Sequence, residues 1–161
     1  MIIRPGTLAE LLQLVREGEP FRLCLVGFLD AFYASGSAAE RRQRLEDDPG
    51  LAGDAKTDAL IGAVAEHLCQ RWSLGRPPPW VEQPERFLER PWFMGAERMK
   101  GFLLAESPSA FRRRFIFTEL EPLRRAAMPK DRIWWELEGV RTGLQPASAQ
   151  DVEDMYGRVP S

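Results

Sequence analysis

Residues 77–117 read PPPWVEQPERFLERPWFMGAERMKGFLLAESPSAFRRRFIF, and the rest of the chain is organised around them. Three successive prolines favour an extended polyproline conformation, so 77–79 reads as a rigid spacer. Pro84 suits the first position of a short helix, PERFLER, with Phe87 and Leu88 turned inward. Pro91 disfavours helical geometry at the residue before it and ends that turn. Trp92, Phe93 and Met94 follow directly, and large side chains in a loop bury much area without regular structure. Residues 98–106 read as a further helix with Met99, Phe102 and Leu103 on its inner side. Ser107 and Pro108 have the form of an N-cap and a first-turn proline. They open a short helix that carries Phe111 and then Arg112, Arg113 and Arg114. Successive helical residues stand about 100° apart, so these three arginines cannot all face one way. At least one is expected to lie along the protein against a carboxylate. Phe115, Ile116 and Phe117 form either a short strand or an extended buried segment.

On the N-terminal side the pattern is helical. Thr7 and Glu10 have capping-box spacing ahead of a helix at 8–17, with Leu8, Leu11, Leu12 and Val15 on one face. A second helix is predicted over 20–35 from Leu25, Phe28, Leu29, Phe32 and Tyr33. Its run RLCLVGF would also suit a buried strand, but the period continues past strand length. Ser37 and Glu40 repeat the capping-box spacing before AAERRQRLEDD, which reads as a short exposed helix with a solvated charged face. Asp54 is the expected N-cap of the next helix, where Ile61, Val64, Ala65, Leu68 and Trp72 form one stripe. His67 lies near its edge and reads as a structural hydrogen-bonder.

On the C-terminal side, Thr118 and Glu121 suggest a capped helix in EPLRRAA, with Arg124 and Arg125 near its end. Ile133, Trp134, Trp135 and Leu137 make a last apolar segment, helix or strand, that Gly143 and Pro146 close. Residues 146–161 either add one helical turn or hang free as a tail. The fold class is therefore all-α: one compact helical bundle over 1–161, with 77–117 as its proline- and aromatic-rich connector and at most one short strand pair.

The chain has 161 residues and a formal net charge of −2. A chain this near neutrality is not a bulk nucleic-acid binder. Residues 76–114 carry 8 basic against 5 acidic residues, the only net-positive third. Cys24 and Cys69 sit in apolar helical patterns and match neither a disulfide framework nor zinc-ligand spacing. No apolar run reaches the roughly 18 residues of a membrane span, and the N-terminus lacks a signal-peptide pattern, so a cytoplasmic location is expected. The sequence has no Walker phosphate loop, GxGxxG, HExxH or GxSxG, and its only histidine is His67. The reading is of a non-catalytic protein-interaction module without cofactor or metal. Arg112, Arg113, Arg114 and Trp80 are the candidate partner-binding residues. Trp92, Phe93, Phe87, Phe111 and Phe117 are the candidate core. The alternatives are a nucleic-acid-associated regulator using the Arg112–Arg114 patch, or an enzyme or small-ligand binder whose site has no sequence signature.

FLDAFY from Phe28, GDAKTDALIGAVAEHLC from Gly53, PPWVEQPERFLERPWF from Pro78 and LLAESPSAFRRRFIF from Leu103 resemble an uncharacterised bacterial domain. That domain occurs alone or behind a helix-turn-helix of the phage-repressor type. Its genes often neighbour a predicted nucleotidyltransferase-type toxin, so the family is antitoxin-like. The resemblance covers roughly residues 28–123. No helix-turn-helix pattern precedes the shared region here, so the resemblance implies a partner-binding role, with a toxin-like enzyme as partner, and not DNA binding. It places packing roles on Trp92 and Phe93, and partner contact or internal salt bridges on Arg112 and Arg113.

Overall fold

The computed structural model of the chain describes residues 3–142. The predicted tail at 146–161 and the closing residues Gly143 and Pro146 lie outside them. Helix dominates, and the one sheet among the described residues is a pair of two-residue strands. The fold is mainly α, as the periodicity indicates. Contacts divide the chain into two compact units, Met1–Ala126 and Ala127–Ser161.

In the first unit, α1 (Leu8–Arg16), α2 (Phe21–Tyr33) and α3 (Ala38–Glu46) pack on one another. Thr7 and Ser37 cap α1 and α3 by accepting from the Glu10 and Glu40 amides, both at 3.1 Å. The reciprocal glutamates reach one residue further out than a standard capping box, to the amides of Gly6 and Gly36. Leu8, Leu11, Leu12, Phe28 and Phe32 are fully buried. Burial of each such side chain contributes about 1.5–3 kcal/mol. Most of α3 is exposed, as expected, with Leu45 its one buried residue, but Arg42 and Arg44 are half-buried staples. Arg44 donates to the Gly6 carbonyl (2.7 Å) and the Ser35 hydroxyl (2.8 Å), and Arg42 to the Arg76 carbonyl.

The central element is α4 (Ala55–Arg71), N-capped by Asp54 through the Thr57 amide at 2.9 Å. The apolar stripe implies a helix with one wet face, yet every residue from Asp58 to Cys69 is buried. The turns at 79–82 and 84–86 and the short helix α6 (Ser109–Arg112) cover its other side. The connector therefore packs along α4. Its strands β1 (Trp92–Phe93) and β2 (Ile116–Phe117) pair in parallel, with α5 (Lys100–Glu106) and α6 between them. Phe93 stacks on Phe117 at 4.9 Å across that pair.

Three expectations fail here for identifiable reasons. Ser107 does not cap α6. Its buried hydroxyl donates to the Leu103 carbonyl and accepts from the Thr118 amide, tying the end of α5 to the end of β2. EPLRRAA is not helical, because Thr118 is spent on Ser107 and Glu121 is buried against Arg71. Finally, of the three residues expected on the inner side at 98–106 only Leu103 is buried, and Met99 and Phe102 are exposed.

Arg125, expected at a helix end, instead forks onto Asp30 of α2 with bonds of 2.9 and 3.0 Å. This guanidinium holds the Asp30 carboxyl below its ordinary value. A carboxyl with a depressed folded-state pKa adds stability that is present above its unfolded value, about 3.9, and is lost as pH falls through that range. Asp30→Asn is thus expected to flatten the acid limb of stability as pH falls below the ordinary carboxylate range, by less than about 1 kcal/mol for so exposed a pair. Urea midpoints taken across pH 2.5–6, a range set around that carboxylate titration at about 3.9, check it. An unchanged limb contradicts the pairing.

The second unit contains α7 (Arg132–Thr142). Asp131 accepts from the Trp134 amide at 2.9 Å, the contact of an N-cap. Trp134 meets Trp135 edge-on at 4.7 Å, and Lys130 stands over Trp134 at 5.1 Å. No helix among the described residues is long and apolar enough to cross a membrane.

Candidate functional site

The triple arginine splits three ways, as the 100° helical step requires. Arg112 is exposed and turns back to cap α5, donating to the carbonyls of Ala105 (3.0 Å) and Ser107 (3.1 Å). These carbonyls lie at the C-terminal end of α5, where helical partners run out. Arg113 is 41% exposed and binds two carboxylates, Glu66 at 3.3 Å and Glu82. Glu82 holds its guanidinium above the ordinary value. Arg114 is fully buried. It donates to Glu66 (3.1 Å) and to the carbonyls of Ala110 (2.7 Å) and Val81 (2.8 Å). Burial pushes this guanidinium down, against the pull of Glu66. Phe115 follows in the left-handed region, at φ 61°, with its ring exposed.

Two candidate partner-binding residues are thereby corrected. Arg114 has no surface to offer a partner. Trp80 is 5% exposed, and its indole N–H donates to the Leu45 carbonyl at 3.1 Å. Arg112 is exposed but engaged with backbone, and Arg113 is neutralised by two acids. The contiguous cationic patch on which a nucleic-acid reading depended is not formed. Among the candidate core residues, Phe111 and Phe117 are buried. Phe87, Trp92 and Phe93 are half-buried. Phe87 and Trp92 line an open cleft of about 720 Å³ with Leu88 and Pro91. Lys56 stands 5.1 Å over the Trp92 ring at that cleft.

Sequence reasoning missed Arg86. It is fully buried, bonded to the Gly50 carbonyl (2.7 Å) and Asp48 (3.3 Å), and lies 5.0 Å from the Trp80 ring centre. Nothing in PERFLER separates it from the other arginines. Glu121 was also missed as a buried anion. It holds Arg71 at 3.3 Å and stands 3.8 Å from His67. His67 contacts the Phe111 ring edge-on at 5.5 Å. Among the described residues, no group of three or more His, Cys, Asp or Glu is placed to hold a metal ion.

Several large apolar side chains are exposed, among them Leu23, Leu51, Leu104 and Phe115, and three further ones stand on the connector at 94–102. Met94 is 42% exposed, Met99 39% and Phe102 61%. Met99 stands at the N-cap of α5 and Phe102 in its first turn. Met94 and Met99 line a cleft of about 360 Å³, walled also by Leu103, Leu60, Leu25 and Leu123. No family model, curated protein or solved structure matches this chain. The functional reading therefore stands on these residues.

Proposed function

We propose that the chain is a non-catalytic, cytoplasmic protein-binding module that contacts its partner through Met94, Met99 and Phe102. The single observation behind this reading is that three large apolar side chains of the connector are exposed, two of which, Met94 and Met99, line an apolar cleft. Exposed apolar surface, where it is contiguous, marks interaction sites. Methionine adapts its shape to what it meets, and aromatic residues are frequent anchors of interface energy. The arginines serve another purpose in this reading: they brace the connector against α4, and so hold these side chains on a rigid support. The resemblance to an antitoxin-like bacterial domain supplies the finer proposal, that the partner is a toxin-type enzyme encoded nearby.

Co-expression with the product of the neighbouring gene tests both levels. A stable complex is expected, and Phe102→Asp weakens it at least about tenfold, the effect of about 1.4 kcal/mol lost at one anchor. Because Phe102 is already in solvent, the variant keeps the wild-type melting temperature. If nothing co-purifies and the pure protein turns over a small molecule, an enzyme reading replaces this one.

A further inference from the structure

We infer that Ser107 is a positioning residue of the binding cleft: its buried hydroxyl sets the spacing between the two cleft walls, without itself meeting the partner. This rests on the protein-binding reading above and names what shapes the same site.

One wall of the cleft is formed by Met99 and Leu103, at the start and middle of α5. The other is formed by Thr118, Pro122 and Leu123. Neither wall holds its place alone. The seven residues of α5 fall well short of the roughly 12 that a lone helix needs, and Leu103 is its one buried residue. The 118–123 segment has no helix or strand of its own. Each wall therefore stands where its anchors put it. The second is tied to α2, where the Tyr33 hydroxyl donates to the Leu123 carbonyl at 2.7 Å, and to α4, through Glu121 and Arg71.

Ser107 ties the two walls to each other. Its hydroxyl donates to the Leu103 carbonyl and accepts from the Thr118 amide at 2.8 Å, with the Thr118 carbonyl also within reach at 3.2 Å. Its own amide donates to the same Leu103 carbonyl at 3.2 Å. Leu103 and Thr118 both line the cleft, so one hydroxyl fixes one residue of each wall. Ser107 is 5% exposed and is not among the lining residues, so it acts on a partner only through the walls. Alanine at this position releases the Thr118 amide and lets the walls drift apart. A site that is assembled for only a fraction of the time binds more weakly by that fraction.

The first measurement needs no partner. Spin labels on Leu104→Cys and Glu119→Cys, one exposed position on α5 and one on the 118–123 segment, read the spacing by dipolar coupling. Cys24 and Cys69, at 0% and 1% exposure, stay unlabelled. Ser107→Ala is expected to broaden the spacing. Asp54→Ala is the control: it removes the N-cap of α4, a comparable loss of stability outside the cleft, and should keep the wild-type spacing. Titration of the unlabelled proteins with the neighbouring gene product follows. Ser107→Ala should weaken the complex about tenfold, as for walls in place a tenth of the time, and Asp54→Ala should bind like wild type. A spacing that Ser107→Ala leaves narrow overturns the inference. So does equal broadening in Asp54→Ala, or wild-type affinity in Ser107→Ala. Should Ser107→Ala fail to fold, hydrogen exchange on wild type decides: the Ser107 and Thr118 amides are expected to open together, and independent opening overturns the inference. A wild-type protein that binds nothing sinks the protein-binding reading, and the spin labels still decide the role of Ser107.

Discussion

Glu66→Ala is expected to cost about 3–5 kcal/mol, the loss typical of stripping the partner from a buried charge. For a chain of this size that lowers the melting temperature by roughly 10 °C or more. Glu66 is 3% exposed, and its carboxylate serves Arg113 and the fully buried Arg114 together. Arginine does not deprotonate in proteins, so Arg114 cannot escape by shedding its proton. The carbonyls of Ala110 and Val81 stay bonded to it but carry only partial charge. Glu82→Ala is the matched control, since it removes a carboxylate from Arg113 that is 58% exposed. Exposed pairs contribute about 0–1 kcal/mol, so this variant should unfold close to wild type. Replacing both members, Glu66→Leu with Arg114→Met, should recover part of the loss. It cannot recover all of it, because each orphaned carbonyl costs about 1–3 kcal/mol. Urea and thermal midpoints of the four proteins decide the matter. Equal losses in Glu66→Ala and Glu82→Ala would mean that Arg114 is not sealed from water.

This cluster also marks where the sequence stops being readable. Periodicity and capping residues locate α1 to α4 because those signals are local: Thr7, Ser37 and Asp54 each bond an amide three residues on. Capping-box spacing fails at Thr118 and Glu121 because distant groups outbid the local ones. Ser107 takes the Thr118 amide from 11 residues away, and Arg71 takes Glu121 from 50. Geometry along one helix was enough to say that Arg112, Arg113 and Arg114 must diverge. It could not say which turns inward, because the buried arginine's carboxylate partner is Glu66, 48 residues earlier. Arg86 had no signal at all. The exposed residues were misread for a related reason: Met99, Phe102 and Leu103 look alike on a helical projection. Only the packing of Leu103 beside Gly95 decides which of them goes in.

Gly62 offers the second large effect, and one of unexpected sign. In a helix interior, Gly→Ala normally stabilises by up to about 1 kcal/mol. At Gly101 in α5, where an added Cβ meets nothing within 4 Å, that gain is expected. At Gly62 in α4 the same Cβ would stand 3.0 Å from the Arg86 Cβ and 3.1 Å from the Arg114 Nε. Neither neighbour can yield freely. Arg86 is tied to the Gly50 carbonyl, and Arg114 to Glu66, Ala110 and Val81. Overpacking a rigid core costs about 1–3 kcal/mol, which outweighs the helical gain. Gly62→Ala should therefore lower the urea midpoint while Gly101→Ala leaves it level or raises it. The coupling is separable: in an Arg86→Ala background the crowding is relieved on one side, so the further loss from Gly62→Ala should shrink, a non-additivity that a double-mutant cycle measures directly. Additive losses, or a Gly62→Ala protein more stable than wild type, would mean that α4 does not press this closely on the two buried guanidinium groups. The support assigned to the connector's exposed face would then have to be found elsewhere.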